Sequence, residues 1–514
     1  MIRTRMLISL LILALGFGLR VAPLTQNRFH SDEALYATFA RLIASGRDPL
    51  LASVVVDKPP LPFYLTALSL SLFGPNEFAT RLPTLFASLI SIALLYRLGR
   101  ALYGRRAGHI AALALACSPM AILFAITLFT DTLITVFLLA SLLMAVRRRP
   151  AWAGLNFGLA FACKQTAIFF LPLIIAFGAI QIISSLSPCG RWKTGARPYT
   201  TKPYRVRGES IKNSVVSVFS VAKLFLWPIL LCIILVFLWD TARQAPISFW
   251  TQGYADNNPG RLIRANEVWP RLNGWLELLS YLTGSRLADL SLILGLPLLI
   301  LFSRRSAQAL YDFILTGFTL TFLTLYWLFA FNVWDRYLLS LTPIVALLLG
   351  RVFDRLTYRL FRIPLRYTQY GIRFILSFFI LSLLISSTIA ARSGFPIGGD
   401  HGAYDGIDEI ARTLYAVPPG SVLYDFWLSW QWGYYLFDAP VYVAWMPGLQ
   451  TLADDLQSFG RTSPRYIVAP SWESFAEARA AIESVGFTVE VIHTAHRRDG
   501  SISFTLYRIE SQKP

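Results

Sequence analysis

Two charged clusters stand close together near the start of this 514-residue chain, which has only 29 acidic residues in all. Asp32 and Glu33 are adjacent carboxylates within RFHSDEALYA, and Asp57-Lys58-Pro59-Pro60 closes the same stretch, residues 28–60. The Pro-Pro pair fixes its own φ values and pushes Lys58 into an extended conformation. A lysine held rigidly beside an aspartate at a membrane edge suits the recognition of a phosphate. The plain alternative is a polar loop capping a helix, with Asp32 as the helix N-cap.

More ionisable groups recur at the ends of apolar runs: Arg81, Asp131, Lys164, Asp335 and Arg336, the last followed by Tyr337. Charges at membrane-boundary positions are costly and are functional candidates for that reason. Each also has a simpler account. Arg81 and Lys164 could snorkel, Asp131 could cap a helix, and Arg336 could anchor the interface beside Trp334 and Tyr337. Carboxylates and cations at one depth together support group transfer from a lipid phosphate. A carboxylate serves as general base or positions an acceptor, and cations hold the leaving phosphate and stabilise its growing charge. No Walker loop, dinucleotide turn, HExxH helix or GxSxG elbow occurs, so no soluble nucleotide cofactor is expected. His30 reads as a neighbour of the cluster rather than a metal ligand. Carboxylates leave a divalent metal open, although no ligand spacing demands one.

The elements that must position these groups are mostly membrane spans. Apolar residues make up 55% of the chain and charged residues 15%, outside the usual range of soluble domains. Many runs approach the roughly 20 residues needed to cross a bilayer. The net charge of +18 raises the question of nucleic acid. Its distribution answers it: Arg97 to Arg106, Arg147 to Arg149, Arg304-Arg305 and the arginines of 351–373 lie in short loops between apolar runs. That is the positive-inside pattern, which reports topology and anionic membrane lipids, not nucleic acid. Cys117, Cys163, Cys189 and Cys232 show neither metal nor redox spacing.

In order, the chain reads as a retained first helix (residues 6–24), an outer loop (26–60), an interfacial helix (61–74) and further spans near 78–97, 107–126, 131–147, 152–163 and 166–183. A Ser/Pro/Gly-rich basic linker at 184–212 is expected in the cytoplasm. Spans near 215–239, 287–302, 310–331, 337–352 and 374–390 follow, with an outer loop at 240–281. The expectation is a polytopic α-helical membrane protein of about 11 spans, residues 1–391, with its N-terminus inside. Residues 392–514 read as a small α/β domain on the outer face. Strands are expected near 421–426, 441–445, 466–469, 489–493 and 503–508, in a largely parallel sheet.

The motif order resembles that of the GT-C membrane glycosyltransferases, specifically glycosyltransferase family 39 and the aminoarabinose transferase group, related to the dolichyl-phosphate-mannose protein mannosyltransferases. FHSDEALYA, DKPPLPFYLTALSLSLFG, FATRLPTLFA, LFTDTL, FACKQTAIFFLP and WDRYLLSLTP carry it, in that order from Phe29 to Pro343. The resemblance implies a GT-C fold with a large outward cavity and a polyprenyl-phosphate sugar donor. Transfer would invert the anomeric carbon and deliver the sugar to a lipid, glycan or protein acceptor. It implies Asp32 as base or acceptor-positioning carboxylate, Asp131 as a second acidic catalytic residue and Lys58 on the donor phosphate. Glu33, Asp57, Arg81, Lys164, Arg336 and Tyr337 complete the expected substrate site. The expected location is the bacterial plasma membrane, with active site and C-terminal domain outside. Alternatives are a lipid A-type phosphoglycolipid acceptor within the same fold, a lipid or sugar flippase, and a non-catalytic membrane scaffold. A flippase predicts internal repeats and midplane charges, and the charges here sit at span ends.

Overall fold

The computed structural model describes residues 2–24, 26–186, 211–257, 260–302, 307–360 and 366–512. Most of the 184–212 linker, Cys189, Arg304-Arg305 and part of the 351–373 basic cluster lie outside the described residues. Helix α1 (Ile2–Val21) is followed by α2 (Ser31–Ala44), α3 (Leu61–Phe73) and α4 (Glu77–Leu102). Next come α5 (Arg105–Cys117), α6 (Pro119–Leu123), α7 (Asp131–Val146), α8 (Pro150–Cys163) and α9 (Leu171–Leu186). The helical series continues with α10 (Ile211–Ala242), α11 (Phe249–Asn257), α12 (Val268–Thr283) and α13 (Arg286–Phe302). It closes with α14 (Ala307–Leu328), α15 (Thr342–Leu360) and α16 (Arg366–Ala390). The chain divides into two compact units. One comprises Met1–Pro23, Asp48–Leu65 and Arg81–Gly398; the other comprises Leu24–Arg47, Thr66–Thr80 and Gly399–Pro514.

Each expected span falls on helical chain, but 107–126 breaks between α5 and α6, and 166–183 and 337–352 begin in 3₁₀ turns. No more than seven stretches among the described residues, not 11, qualify as spans by length and composition. Among the described residues five stretches are long and apolar enough to cross a membrane: Glu77–Leu102, Gln165–Ile182, Ser220–Ala242, Gln308–Leu328 and Asp335–Thr357. Two bent pairs also qualify, α5 with α6 at 59° and α12 with α13 at 103°. Helix α8, with its 14 residues, is about 21 Å long and too short to cross alone. The 240–281 stretch, expected as a loop, holds α11 and most of α12. Its amphipathic sequence, with Arg271 and Glu277 among apolar residues, hides a helix from a reading based on apolar runs.

The bend between α5 and α6 has a chemical cause. Pro119 has no N–H, so the carbonyl of Leu115 loses its helical partner. Arg20, fully buried on α1, takes over. Its Nη2 donates to the Leu115 carbonyl at 3.3 Å, and its Nη1 donates to those of Ala116 and Gly16 at 3.0 Å each. Its Nε donates to Ser88 Oγ at 2.8 Å. A buried cation is thus held by orphaned helix-end carbonyls. Nearby α14 and α15 are joined by a buried ion pair, Arg351 to Asp312 at 3.2 Å.

In the second unit α17 (Ile407–Tyr415) precedes β1 (Ser421–Asp425), α18 (Ser429–Tyr435), β2 (Val441–Trp445) and α19 (Leu449–Phe459). Then follow β3 (Arg465–Pro470), α20 (Ala476–Ser484), β4 (Phe487–His496) and β5 (Ile502–Ser511). The strand order is β2-β1-β3-β5-β4. β1 pairs in parallel with β2 and β3, but β5 runs antiparallel to both β3 and β4. The sheet is therefore mixed, not largely parallel. The short turn between β4 and β5 explains why, since a parallel crossover needs about a dozen residues. Side chains alternate across the sheet: Leu423, Val468 and Leu506 face one core, and Tyr424, Ile467 and Ile509 the other.

Candidate active site

In the first unit the site is assembled where spans begin. Asp131 is the first residue of α7 and Lys164 caps the end of α8. Both are buried, and Lys164 Nζ donates to the two Asp131 carboxylate oxygens at 2.7 and 2.9 Å. A buried ion pair is tolerated only with such close geometry. Two 3₁₀ turns present the neighbouring groups: Gln165–Phe170, directly after Lys164, and Asp335–Leu341. Such turns inside apolar helices often mark functional positions. From the second, Tyr337 lays its ring 5.3 Å from Lys164 Nζ. Its hydroxyl donates to Asn257 Oδ1 of α11 at 3.2 Å.

The buried Lys58 ammonium is bonded to the Asp57 carboxylate. The Asp57 carbonyl in turn accepts from Gln165 Nε2 at 3.0 Å. Gly253 of α11 lies so close that a Cβ there would come within 2.5 Å of the same carbonyl, which only glycine permits. Arg336 stacks over Trp334 at 4.3 Å and faces Phe129 at 5.3 Å. Lys58 and Arg336 are both electrostatic neighbours of Lys164. Arg81 is buried near the start of α4. The structure thus brings together Asp57, Lys58, Asp131, Lys164, Arg336 and Tyr337. Gln165, Asn257 and Gly253 were missed from sequence. Gln165 stood in plain view beside Lys164, whereas Asn257 and Gly253 gave no signal.

Asp48 shapes the loop that leads to Lys58. Its carboxylate accepts from Ala52 N at 2.8 Å and from Ser53 N and Oγ at 2.7 and 2.6 Å. Burial pushes this carboxyl up, but those hydrogen bonds outweigh it and hold the group below its ordinary value. A step along α7, Ser88, Ser91, Thr132, Thr135 and Thr342 line a cavity of about 20 Å³, room for one water and far too small for a sugar.

Asp32 and Glu33 lie on α2, in the second unit. The helix N-cap is His30, not Asp32: the His30 ring accepts from Asp32 N at 3.3 Å. Glu33 is fully buried and accepts from His30 N at 3.1 Å, completing a capping box. Glu33 therefore has a structural task. Asp32, half-buried, is not the cap. Among the described residues no group of three or more His, Cys, Asp or Glu could hold a metal ion. Asp57 and Asp131 are both engaged by lysines, so the donor set does not fit a divalent cation.

The fold is that of the GT-C membrane glycosyltransferases. It matches ArnT from Cupriavidus metallidurans, solved bound to undecaprenyl phosphate, with a TM-score of 0.62 over 99% of this chain and 97% of that one, at 13% identity. Residues 57–188 match the family model described as dolichyl-phosphate-mannose-protein mannosyltransferase. The chain is 32% identical over 132 residues to YkcB of Bacillus subtilis, which bears a provisional mannosyltransferase name; the match covers 24% of this chain and 18% of YkcB. It is 28% identical over 194 residues to the undecaprenyl phosphate-alpha-4-amino-4-deoxy-L-arabinose arabinosyl transferase of Photorhabdus laumondii, covering 31% of this chain and 35% of that protein. The chain thus spans about a fifth to a third of the length of these curated relatives.

Proposed function

We propose that this protein is a membrane glycosyltransferase that moves a sugar from a polyprenyl-phosphate donor to an acceptor, with inversion at the anomeric carbon. The observation that carries this reading is the cation cluster of the first unit, where buried Lys58 and Lys164 share a neighbourhood with half-buried Arg336 and with Tyr337. Cations fixed in advance by Asp57 and Asp131 would bind the donor phosphate without reorganising, which is how a developing charge is stabilised. Arg81 is assigned to the same task. In the reaction an acceptor oxygen attacks the anomeric carbon. The bond from that carbon to the phosphate oxygen breaks, and its electron pair leaves with polyprenyl phosphate. Asp32 takes the acceptor's proton.

The ArnT structure with undecaprenyl phosphate and the mannosyl- and arabinosyl-transferase names of the relatives support a lipid-phosphate donor. The acceptor is a lipid, glycan or protein, a lipid A-type phosphoglycolipid included. The basic short loops favour a plasma membrane location with the span ends bearing Lys58 and Lys164, and residues 392–514, on the outer face. Purified protein incubated with undecaprenyl-phosphate-linked mannose or aminoarabinose and a membrane extract should release undecaprenyl phosphate and yield a glycosylated product. Movement of the lipid-linked sugar across vesicles without its cleavage would replace this reading with a flippase.

A further inference from the structure

The five residues that lead into Asp32 are fastened one after another. Asn27 Oδ1 accepts from Arg498 Nη2 at 2.9 Å, and Arg498 is itself paired with Asp405 at 2.8 Å. Arg28 forms ion pairs of 3.0 Å with both Glu77 and Asp408. Phe29 is fully buried, edge-on to Tyr434 at 4.8 Å, and its N–H donates to the Tyr435 hydroxyl at 3.2 Å. That hydroxyl bonds onward to Glu77. His30 is held by Glu33. The Ser31 hydroxyl accepts from Gln431 Nε2 at 3.1 Å and shares a 2.9 Å hydrogen bond with the Tyr404 hydroxyl.

The helix beyond Asp32 is gripped by the same partners. Arg41 donates to the Tyr434 carbonyl and to Asp438, both at 2.7 Å. Gly433 of α18 comes close enough to Thr38 that an added Cβ would sit 3.2 Å from its Oγ1. Six of the anchoring side chains come from the C-terminal segment: Tyr404, Asp408, Gln431, Tyr435, Asp438 and Arg498. A domain joined to helix α2 only for storage or display would need an apolar patch, not contacts to four of the five residues before Asp32. Gln431, 1% exposed, spends a buried amide donor on a single serine hydroxyl. Burying that amide is repaid only if the bond is made.

We propose that the C-terminal segment sets the position of Asp32, with Tyr404 and Gln431 as the positioning residues that fix its neighbour Ser31. The inference rests on the reading of Asp32 as the base. A base must lie within hydrogen-bond reach of the proton it takes. A shift of even about 1 Å at a reacting group costs up to roughly a hundredfold in rate. Neither Tyr404 nor Gln431 belongs to the cation cluster proposed to hold the donor phosphate.

The test is a cycle on the full-length protein in detergent. Tyr404→Phe with Gln431→Leu should lower kcat about ten- to a hundredfold and leave KM for undecaprenyl-phosphate-linked sugar unchanged. Placed on Asp32→Asn, the same pair should cause no further loss, because the group it positions is already gone. Tyr404→Phe alone, which removes one oxygen, should show a smaller kcat loss of the same kind and serves if the pair fails to fold. Wild-type kcat in Tyr404→Phe and in the pair, or an equal loss on the Asp32→Asn background, overturns the positioning role while sparing Asp32. Wild-type turnover by Asp32→Asn itself removes the base, and the proposal falls with it.

Discussion

In the first unit Lys58 and Lys164 are buried and each meets an aspartate. Around Asp32 in the second unit the charges of Arg28, Glu77, Asp408 and Arg498 are partly exposed, with only Asp405 buried, and they lock backbone in place. The first region is stitched from four distant pieces of chain, residues 57–58, 131, 164–165 and 336–337. The second is one continuous segment held by many partners. Removing a partner in the first leaves a buried charge, so folding and binding should fail together. Removing one in the second should displace a helix start without unfolding it. Charge is buried and paired in one case and braces backbone in the other.

The largest effect that would sharpen this contrast is at Asp32. Asp32→Asn keeps the shape but accepts no proton, so turnover should fall by about 10²–10⁴ while thermal unfolding and donor binding stay near wild type. Glu33→Gln is the matched control: its amide oxygen can still accept from His30 N, so the capping box survives and both stability and turnover should stay near wild type. Full turnover in Asp32→Asn would erase the distinction.

Next in size is the buried pair. Lys164→Met strands the Asp131 carboxylate and should destabilise the protein by about 3–5 kcal/mol, seen as a lower Tm in detergent. Adding Asp131→Asn should restore much of that Tm without restoring turnover. A Lys164→Met protein as stable as wild type would mean that the pair is solvated.

Lys58→Ala should weaken binding of undecaprenyl phosphate about tenfold, as for the loss of one charged hydrogen bond. Lys58→Arg should recover only part of it, because the guanidinium keeps the charge and changes the geometry. Unchanged affinity would return Lys58 to a structural role in the Pro-Pro turn. The smallest effect expected is at Asp48. Its carboxyl lies below the ordinary value of 3.8, so the stability it lends is present above that pH and is lost as pH falls through the folded-state value. Asp48→Asn should therefore lower Tm at neutral pH, and the gap from wild type should close below about pH 3.8. A gap constant with pH would show that the carboxylate charge is irrelevant to the loop.

Much of this was readable in advance because the signals were local. Thr130-Asp131 after one apolar run and Lys164-Gln165 after another marked span ends, and span ends are where the structure puts them. The strands of the C-terminal domain followed from period-2 patterning, with Val441–Trp445 matching residue for residue. What stayed hidden depended on contacts across the sequence. Nothing local to Asp32 tells that His30 caps its helix, since Ser, Thr, Asp and Asn are the usual caps. Strand direction in β5 was set by a short turn whose geometry outweighs the alternation of helices and strands. That Leu24–Arg47 folds with the C-terminal segment depends on pairs such as Arg498 with Asn27, which no local pattern encodes.

That last feature sets a timetable for biosynthesis. The second unit is closed by Gly399–Pro514, yet its other pieces, Leu24–Arg47 and Thr66–Thr80, leave the ribosome first. About 320 residues separate Thr80 from Gly399, and at roughly 5–20 residues per second the gap lasts on the order of tens of seconds. Throughout that interval Phe29, Arg28 and Glu77 wait without Tyr434, Tyr435 and Asp408, so a nascent chain stopped before residue 399 carries an apolar and charged segment with nothing to close over it. Quality control that senses such a segment would read the absence of Gly399–Pro514 at residues 24–47.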